Sequence, residues 1–308
     1  MLSILIPTYN SPCLPLVNEV YRLANELNTE CPFEILLGDD ASDECMKVEN
    51  RKVNELPNCR FIEYTQNAGP AVVRNQLARE AKYPYLLYLD SDVYPASCSF
   101  ISDYIASIVL KGVVCGGFVY KREVPEPQYA LRYYYGIGVE EKSVALRRKA
   151  PYSQFCSMNF MIPRDYMLDI CFDESFHLGY EDTYFGASLE RKGVPVYHYN
   201  IPVYHQYKEN TEAYLVKIKR AVKNLIGHED ALRPYVKLLS FHQTIKKLRL
   251  TSLAYWLFLC TEKKVVANLC SSKPSLRLFA FYKLGHLLRF YDEKEKAISD
   301  ADSADHTD

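Results

Sequence analysis

The stretch YLLYLDSDVYP, residues 85–95, runs five apolar or aromatic side chains into Asp90 and, two positions on, Asp92. A buried strand that meets two carboxylates either ends in a solvated turn or holds something positive. Hard carboxylate oxygens suit Mg2+ or Mn2+. Two further acid pairs stand at comparable places. Asp39 and Asp40 close the β-prone run FEILLGDD, and Glu181 and Asp182 follow Gly179 and Tyr180. An aspartate at a strand end also serves as an Asx-turn or helix N-cap. Acids at a helix start also suit the helix dipole. Arg74, seven residues after Asn67, suits a phosphate, or a salt bridge that holds one of the strand-end carboxylates in place.

The elements that must position these groups alternate. LSILI (2–6) reads as a strand stopped by Pro7, with Thr8, Tyr9 and Asn10 in the loop. Leu16, Val20, Leu23, Ala24 and Leu27 recur at helical spacing over 14–28. Strands follow at 33–40, 59–65 and 85–90, and the helix within 67–81 opens on Gly69 and Pro70. This order predicts an α/β unit with a mostly parallel sheet. Ligands gather at the carboxyl ends of such strands. Further on, 112–120 reads as one strand, 155–167 as a strand leading into a helix, and 194–205 as short β-prone pieces. The stretch from about 210 to 290 reads as helices.

The chain has 308 residues, 48% of them hydrophobic, and a net charge of −1, so it can bury a sizeable core. The charge is uneven: residues 211–290 carry fifteen Lys/Arg against four Asp/Glu, and the acidic stretch 291–308 reads as a frayed tail. Ten scattered cysteines without close pairing read as reduced thiols in a cytoplasmic protein. No apolar run approaches the roughly 20 residues that span a bilayer.

Four landmarks in order resemble the inverting family 2 glycosyltransferases of GT-A fold: ILIPTYN (4–10), EILLGDDASDE (34–44), NAGPAVVRNQLA with YLLYLDSD (67–92), and FDESFHLGYEDTYFGASLERKG (172–193). Ala41 stands where a glycine is more usual. The resemblance covers roughly 1–206 and implies a Rossmann-like sheet flanked by helices. Its nucleotide-sugar half lies at about 1–95 and its acceptor half at about 96–206; it does not extend to 207–290, which the residues themselves read as a basic helical region. It implies a donor site of Pro7, Thr8, Tyr9, Asp39, Asp40, Asn67, Arg74 and Asp90, with Asp40 preferred over Asp39 for the base. It implies a metal, Mn2+ or Mg2+, held by Asp92 with Asp90. His205 is preferred over His198 as the late ligand, because a short strand precedes it. Asp182 is the implied base that deprotonates the acceptor hydroxyl, and Glu181 orients the groups around it. Among the tyrosines, Tyr180 is singled out as a surface on which a sugar could stack.

The implied activity transfers a sugar from a nucleotide diphosphate, UDP by family habit, to a glycan or lipid-linked acceptor in surface polysaccharide or glycoconjugate synthesis. The basic C-terminal helices suit the inner face of a membrane or a bundle packed on the catalytic domain. A sugar-nucleotide pyrophosphorylase would need a glycine-rich N-terminal loop, which IPTYNSP lacks. A nucleic-acid partner is not expected, since no motif supports one and residues 1–210 are net acidic.

Overall fold

A computed structural model describes residues 1–27, 31–207 and 209–304, with side chains up to 296. The elements in chain order are β1 (Leu2–Thr8), α1 (Leu14–Asn25), β2 (Phe33–Asp39), α2 (Glu44–Asn50), β3 (Cys59–Glu63), α3 (Pro70–Glu80), β4 (Tyr85–Leu89), β5 (Val93–Pro95), α4 (Phe100–Ser107), β6 (Val113–Cys115) and β7 (Phe118–Val119). Then come α5 (Ala130–Tyr135), α6 (Val144–Arg148), β8 (Asn159–Pro163), α7 (Arg164–Ile170), α8 (Glu181–Arg191), β9 (Val196–His198) and β10 (Val203–His205). The chain closes with α9 (Thr211–Lys223), α10 (Glu229–Leu232), α11 (Lys237–Lys247), α12 (Thr251–Leu269) and α13 (Leu276–Ala304).

Contacts divide the chain into two compact units. The first comprises Met1–Arg122, Val139–His177 and Glu181–Gln206. Its main sheet has the order β3-β2-β1-β4-β8-β6-β9, with β8 antiparallel to its neighbours β4 and β6 and the other pairs parallel. Side chains alternate across it as a pleated strand requires. Leu2, Ile4 and Ile6 of β1 join a core with Val17 and Val20 of α1 and Tyr104 of α4. Leu5 faces the other side with Leu77 of α3, Met167 of α7 and Phe185 of α8. Each such buried side chain contributes roughly 1.5–3 kcal/mol. Because both faces are covered, the strands read as continuous apolar runs, and their polar groups collect at the ends.

A second sheet of order β5-β10-β7 sits in the same unit. The single strand expected over 112–120 is two strands in different sheets. Gly116 and Gly117 break it: Gly117 has φ +85°, and a Cβ on Gly116 would lie 2.3 Å from the Ile201 carbonyl.

The second unit gathers Glu123–Gly138, Leu178–Tyr180 and Tyr207 onward. Leu131, Tyr214, Phe258, Val265, Leu269, Phe279 and Tyr282 form its main core. The aromatic stretch at 133–135 packs here, with Tyr133 against Tyr207 and Tyr135 against Phe279. Asn224 Nδ2 donates to the Leu178 carbonyl at 2.6 Å, so this unit holds the tripeptide that precedes Glu181. The frayed tail expected from 291 is instead helical through Ala304, and 305–308 lie outside the described residues. Tyr291 anchors it by donating to Glu229 Oε1 and stacking on His242. Among the described residues no helix is long and apolar enough to cross a membrane.

Candidate active site at the strand ends

The loops after β1 and β2 clasp each other. The Asn10 backbone N–H donates to Ser42 Oγ, and Asn10 Oδ1 accepts from the Asp43 N–H. Pro7 and Thr8 are buried at the end of β1, while Tyr9 is exposed. Thr8 turns its hydroxyl into the loop, donating to Ser11 O at 3.4 Å. Ala41 has φ +59°, which explains why glycine is the easier residue there; the left-handed backbone costs about 1–2 kcal/mol with a Cβ.

Asp39 and Asp40, both buried, divide their work. Asp40 accepts from the Ala68 N–H at 2.8 Å and the Gly69 N–H at 2.9 Å, one on each carboxylate oxygen. Asn67 Nδ2 donates to the Asp40 carbonyl at 3.0 Å. Asp40 and Asn67 therefore shape the loop that opens α3. Gly69 is required there: its φ is +94°, and a Cβ would stand 2.7 Å from the His177 carbonyl. Asp39 Oδ2 accepts from the Ser42 N–H at 2.9 Å, and its Oδ1 is buried with no hydrogen-bond partner among the described residues. A buried acceptor left in that state costs about 1–3 kcal/mol until a donor arrives. Of the pair, Asp39 and not Asp40, the preference from sequence, is left with an acceptor that a ligand could fill.

Asp90, just past β4, accepts from Arg74 Nη2 at 2.8 Å. Arg74 Nη1 lies 3.4 Å from Glu181 Oε1. The guanidinium is buried over the Phe172 ring, and Tyr88 donates its hydroxyl to the Arg74 carbonyl. Of the two roles open to Arg74, the structure shows the salt bridge. It links Asp90 to Glu181 from α3.

Asp92 is the acid that reaches outward, with 50% of its side chain exposed. Its Oδ2 lies 3.1 Å from His205 Nε2. The small sheet brings them together, since His205 pairs with Val93 across β10 and β5, and Gln206 N–H donates to the Asp92 carbonyl. His205 Nδ1 is 2.8 Å from the Tyr120 hydroxyl, which donates to Glu140 Oε2 at 2.8 Å. With the phenol proton directed at Glu140, Nδ1–H donates to the phenol oxygen. The Nε2 lone pair then faces a carboxylate. Two acceptors at 3.1 Å repel unless a proton or a cation lies between them, and an oxygen–nitrogen donor set fits Mn2+ better than Mg2+, which prefers oxygen ligands alone. Among the described residues no third His, Cys, Asp or Glu joins this pair, so a bound ion would draw its remaining ligands from substrate or water. Asp90, expected beside Asp92 as a ligand, has its Oδ1 engaged by Arg74.

His198 is fully engaged elsewhere. Arg147 Nη1 donates to its Nδ1 at 3.0 Å, so Nε2 carries the proton and donates to the Pro151 carbonyl at 2.9 Å. Burial lowers its pKa, and both nitrogens serve the scaffold. Tyr120 and Glu140 were missed from sequence. Tyr120 lies 85 residues from its histidine, and a tyrosine in a chain with 26 of them carries no signal.

Glu181 and Asp182 open α8 after two left-handed residues, Gly179 at φ +83° and Tyr180 at φ +68°. The turn presents both acids on the first helical turn. Glu181 is buried, and its Oε2 has no partner among the described residues. Asp182 keeps part of its surface in solvent, and its Oδ1 accepts from the Thr183 N–H at 2.6 Å. Burial, and then the neighbouring Glu181 charge, push the Asp182 carboxyl well above the usual aspartate range; the Thr183 hydrogen bonds and Arg74 oppose this only in part. A carboxylate that holds a proton this readily is suited to take one.

The family description Glycosyl transferase family 2 matches residues 3–167, more than half of the chain. The chain belongs to glycosyl transferase family 2. It is 35% identical over 106 residues to a poly(ribitol-phosphate) beta-glucosyltransferase of Bacillus spizizenii, a match that covers 33% of this chain and 16% of that one. It is 29% identical over 139 residues to the poly(ribitol-phosphate) beta-N-acetylglucosaminyltransferase TarS of Staphylococcus aureus, covering 40% of this chain and 24% of the relative. The matched segments thus span less than a quarter of these two curated relatives. Among solved structures, the mannosyltransferase PcManGT of Pyrobaculum calidifontis, in complex with GDP-Man and Mn2+, aligns with a TM-score of 0.53 at 16% identity, over 94% of this chain and 84% of that one. That likeness supports the GT-A type of α/β fold.

Proposed function

We propose that this protein is a metal-dependent, inverting glycosyltransferase that moves a sugar from a nucleotide diphosphate, UDP favoured, to a hydroxyl of a glycan or lipid-linked acceptor. Surface polysaccharide or glycoconjugate synthesis on the cytoplasmic side of a membrane is the setting that fits. The ten free cysteines suit that reducing compartment. The observation that carries the reading is the Asp92–His205 pair, a carboxylate oxygen and an imidazole nitrogen 3.1 Å apart beyond the β4 end.

Asp39 Oδ1 accepts a ring N–H of the base, which satisfies the buried oxygen. Asp92 and His205 would hold the divalent ion, and Tyr120 fixes the imidazole through Nδ1. When bound, such an ion neutralises the charge that grows on the leaving diphosphate. Asp182 takes the proton of the acceptor hydroxyl as its oxygen bonds to C1 and the C1–phosphate oxygen bond breaks on the opposite face. Configuration at C1 inverts, and the nucleoside diphosphate leaves with the bonding pair. Glu181, held by Arg74, keeps the first turn of α8 in place.

The relatives act, by their names, with glucosyl and N-acetylglucosaminyl groups, which supports a hexosyl or N-acetylhexosaminyl donor. The test is a thermal-shift panel of UDP, GDP, dTDP and CDP with and without Mn2+. A ligand that binds only the folded chain raises its melting temperature. One nucleotide should stabilise, the metal should strengthen that effect, and Asp92→Asn should abolish the metal's contribution. No shift with any nucleotide would defeat the reading.

A further inference from the structure

Among the described residues, the second unit carries an apolar face with nothing folded over it. Helix α12 buries Phe258, Val265 and Leu269 in the unit's core. Leu253, Trp256, Leu257 and Cys260, spaced by three, one and three residues, fall on the opposite side and are exposed. Leu253, Trp256 and Leu257 are 58%, 60% and 46% exposed. The corner between α11 and α12 extends this surface with Leu248 and Leu250, both exposed. A helix that is apolar on both sides belongs inside something, and this one has only one side inside the protein.

Charge identifies the cover. No acidic residue occurs from 231 to 261, while Lys246, Lys247 and Arg249 stand exposed at the same corner. Lys263 and Lys264 follow one turn beyond Cys260 and are also exposed. Apolar side chains flanked along the chain by these cations fit a bilayer surface whose headgroups are anionic, with leucine and tryptophan in the acyl boundary and the amines among the phosphates. A second copy of the chain fits poorly. A two-fold interface sets a patch against itself, and these cations would face cations.

We propose that the α11–α12 corner, Leu248, Leu250, Leu253, Trp256 and Leu257 with Lys246, Lys247 and Arg249, docks the protein on an anionic phospholipid surface. The contact is peripheral. It goes beyond the transferase reading and does not depend on it, because neither readout below involves nucleotide.

Trp256 is the chain's single tryptophan, so its emission reports this surface alone. The full chain is mixed with vesicles of phosphatidylglycerol or of phosphatidylcholine, and both emission and co-sedimentation are followed. Phosphatidylglycerol should shift the emission to the blue and sediment the protein, and added salt should weaken both. Leu253→Glu with Leu257→Glu, which keeps Trp256, should cut partitioning about tenfold or more. Lys246→Glu, Lys247→Glu and Arg249→Glu together should cut it about a hundredfold. Both variants should melt as the parent does, since every altered side chain is exposed. Emission unmoved by phosphatidylglycerol would overturn the proposal, as would equal binding to both lipids. A blue shift that grows with protein concentration without lipid, together with a doubled mass, would assign the face to a second copy and overturn it too.

Discussion

At the end of β2, three backbone amides face the Asp39–Asp40 pair; at the start of α8, one guanidinium and one threonine face Glu181–Asp182. Both pairs are adjacent acids at the edge of the same unit. In each, one member is built into the scaffold, Asp40 through the amides of α3's opening loop and Glu181 through Arg74. The other member is left with capacity. Asp39 keeps a buried oxygen without a donor, which suits it to read an N–H. Asp182 keeps a carboxyl whose charged form is disfavoured by burial and by Glu181, which suits it to accept a proton. Asp90 and Asp92 repeat the division, with Asp90 on Arg74 and Asp92 turned outward to His205. Adjacent or near-adjacent acids can therefore differ in role because long-range partners claim one and not the other.

The largest effect should come from the acid with proton capacity. Asp182→Asn should lower transfer about 10²–10⁴-fold, the range of general-base loss. The nucleotide-driven thermal shift should stay intact. Single-turnover rates beside that shift decide it: retained transfer would move the base elsewhere, and lost nucleotide binding would make Asp182 part of the donor site.

Removing the shared scaffold charge comes next. Arg74→Met keeps length and apolar contact with Phe172 but leaves Asp90 and the buried Glu181 without their cation. The cost should be about 3–5 kcal/mol, the usual penalty for breaking a buried pair. Urea unfolding of the variant measures it. A loss below about 1 kcal/mol, typical of solvated pairs, would mean that Arg74 ties the two acids together only weakly.

The division within the first pair is tested by two matched changes. Asp39→Asn should weaken nucleotide binding about 10–100-fold, because the amide can turn a donor toward the ring N–H and leaves an unmatched contact. Asp40→Asn should act mainly on stability, through the amides of Ala68 and Gly69. Calorimetric titration with the preferred nucleotide, beside a melting curve for each variant, separates the outcomes. The reverse pattern would return the base contact to Asp40.

Much of this was legible in the sequence because apolar runs buried on both faces force polar groups to the strand ends. The acid pairs were visible there, as were the strands β1 to β4. Which acid of a pair does chemistry was not visible. That depends on partners 28 or 29 residues away for Asp40, and 107 away for Glu181. The Tyr120–Glu140 support of His205 depends on separations of 85 and 20 residues. The break at Gly116–Gly117 was hidden because a β-prone run continues through it, and only the approach of the Ile201 carbonyl requires it. In α12 the apolar spacing serves two stripes, and periodicity does not say which one the protein covers.

The smallest effect is a slope with pH, and it too separates the two pairs. Folded Asp182 holds its proton up to about pH 7, whereas an aspartate in the unfolded chain releases it near pH 4. Between these values the native state binds more protons than the unfolded state, so stability falls as pH rises. The contribution of this group is complete below the free value and is lost as pH climbs through the folded one. Asp182→Asn removes the titration, so its stability relative to the parent should improve from pH 5 to pH 8. The gain should be about 1–2 kcal/mol, kept modest because part of Asp182 meets solvent. Urea midpoints of both proteins across that range, without metal or nucleotide, measure the difference. A flat difference would mean that burial and Glu181 do not hold the proton on Asp182, and the division of roles at α8 would lose its electrostatic basis.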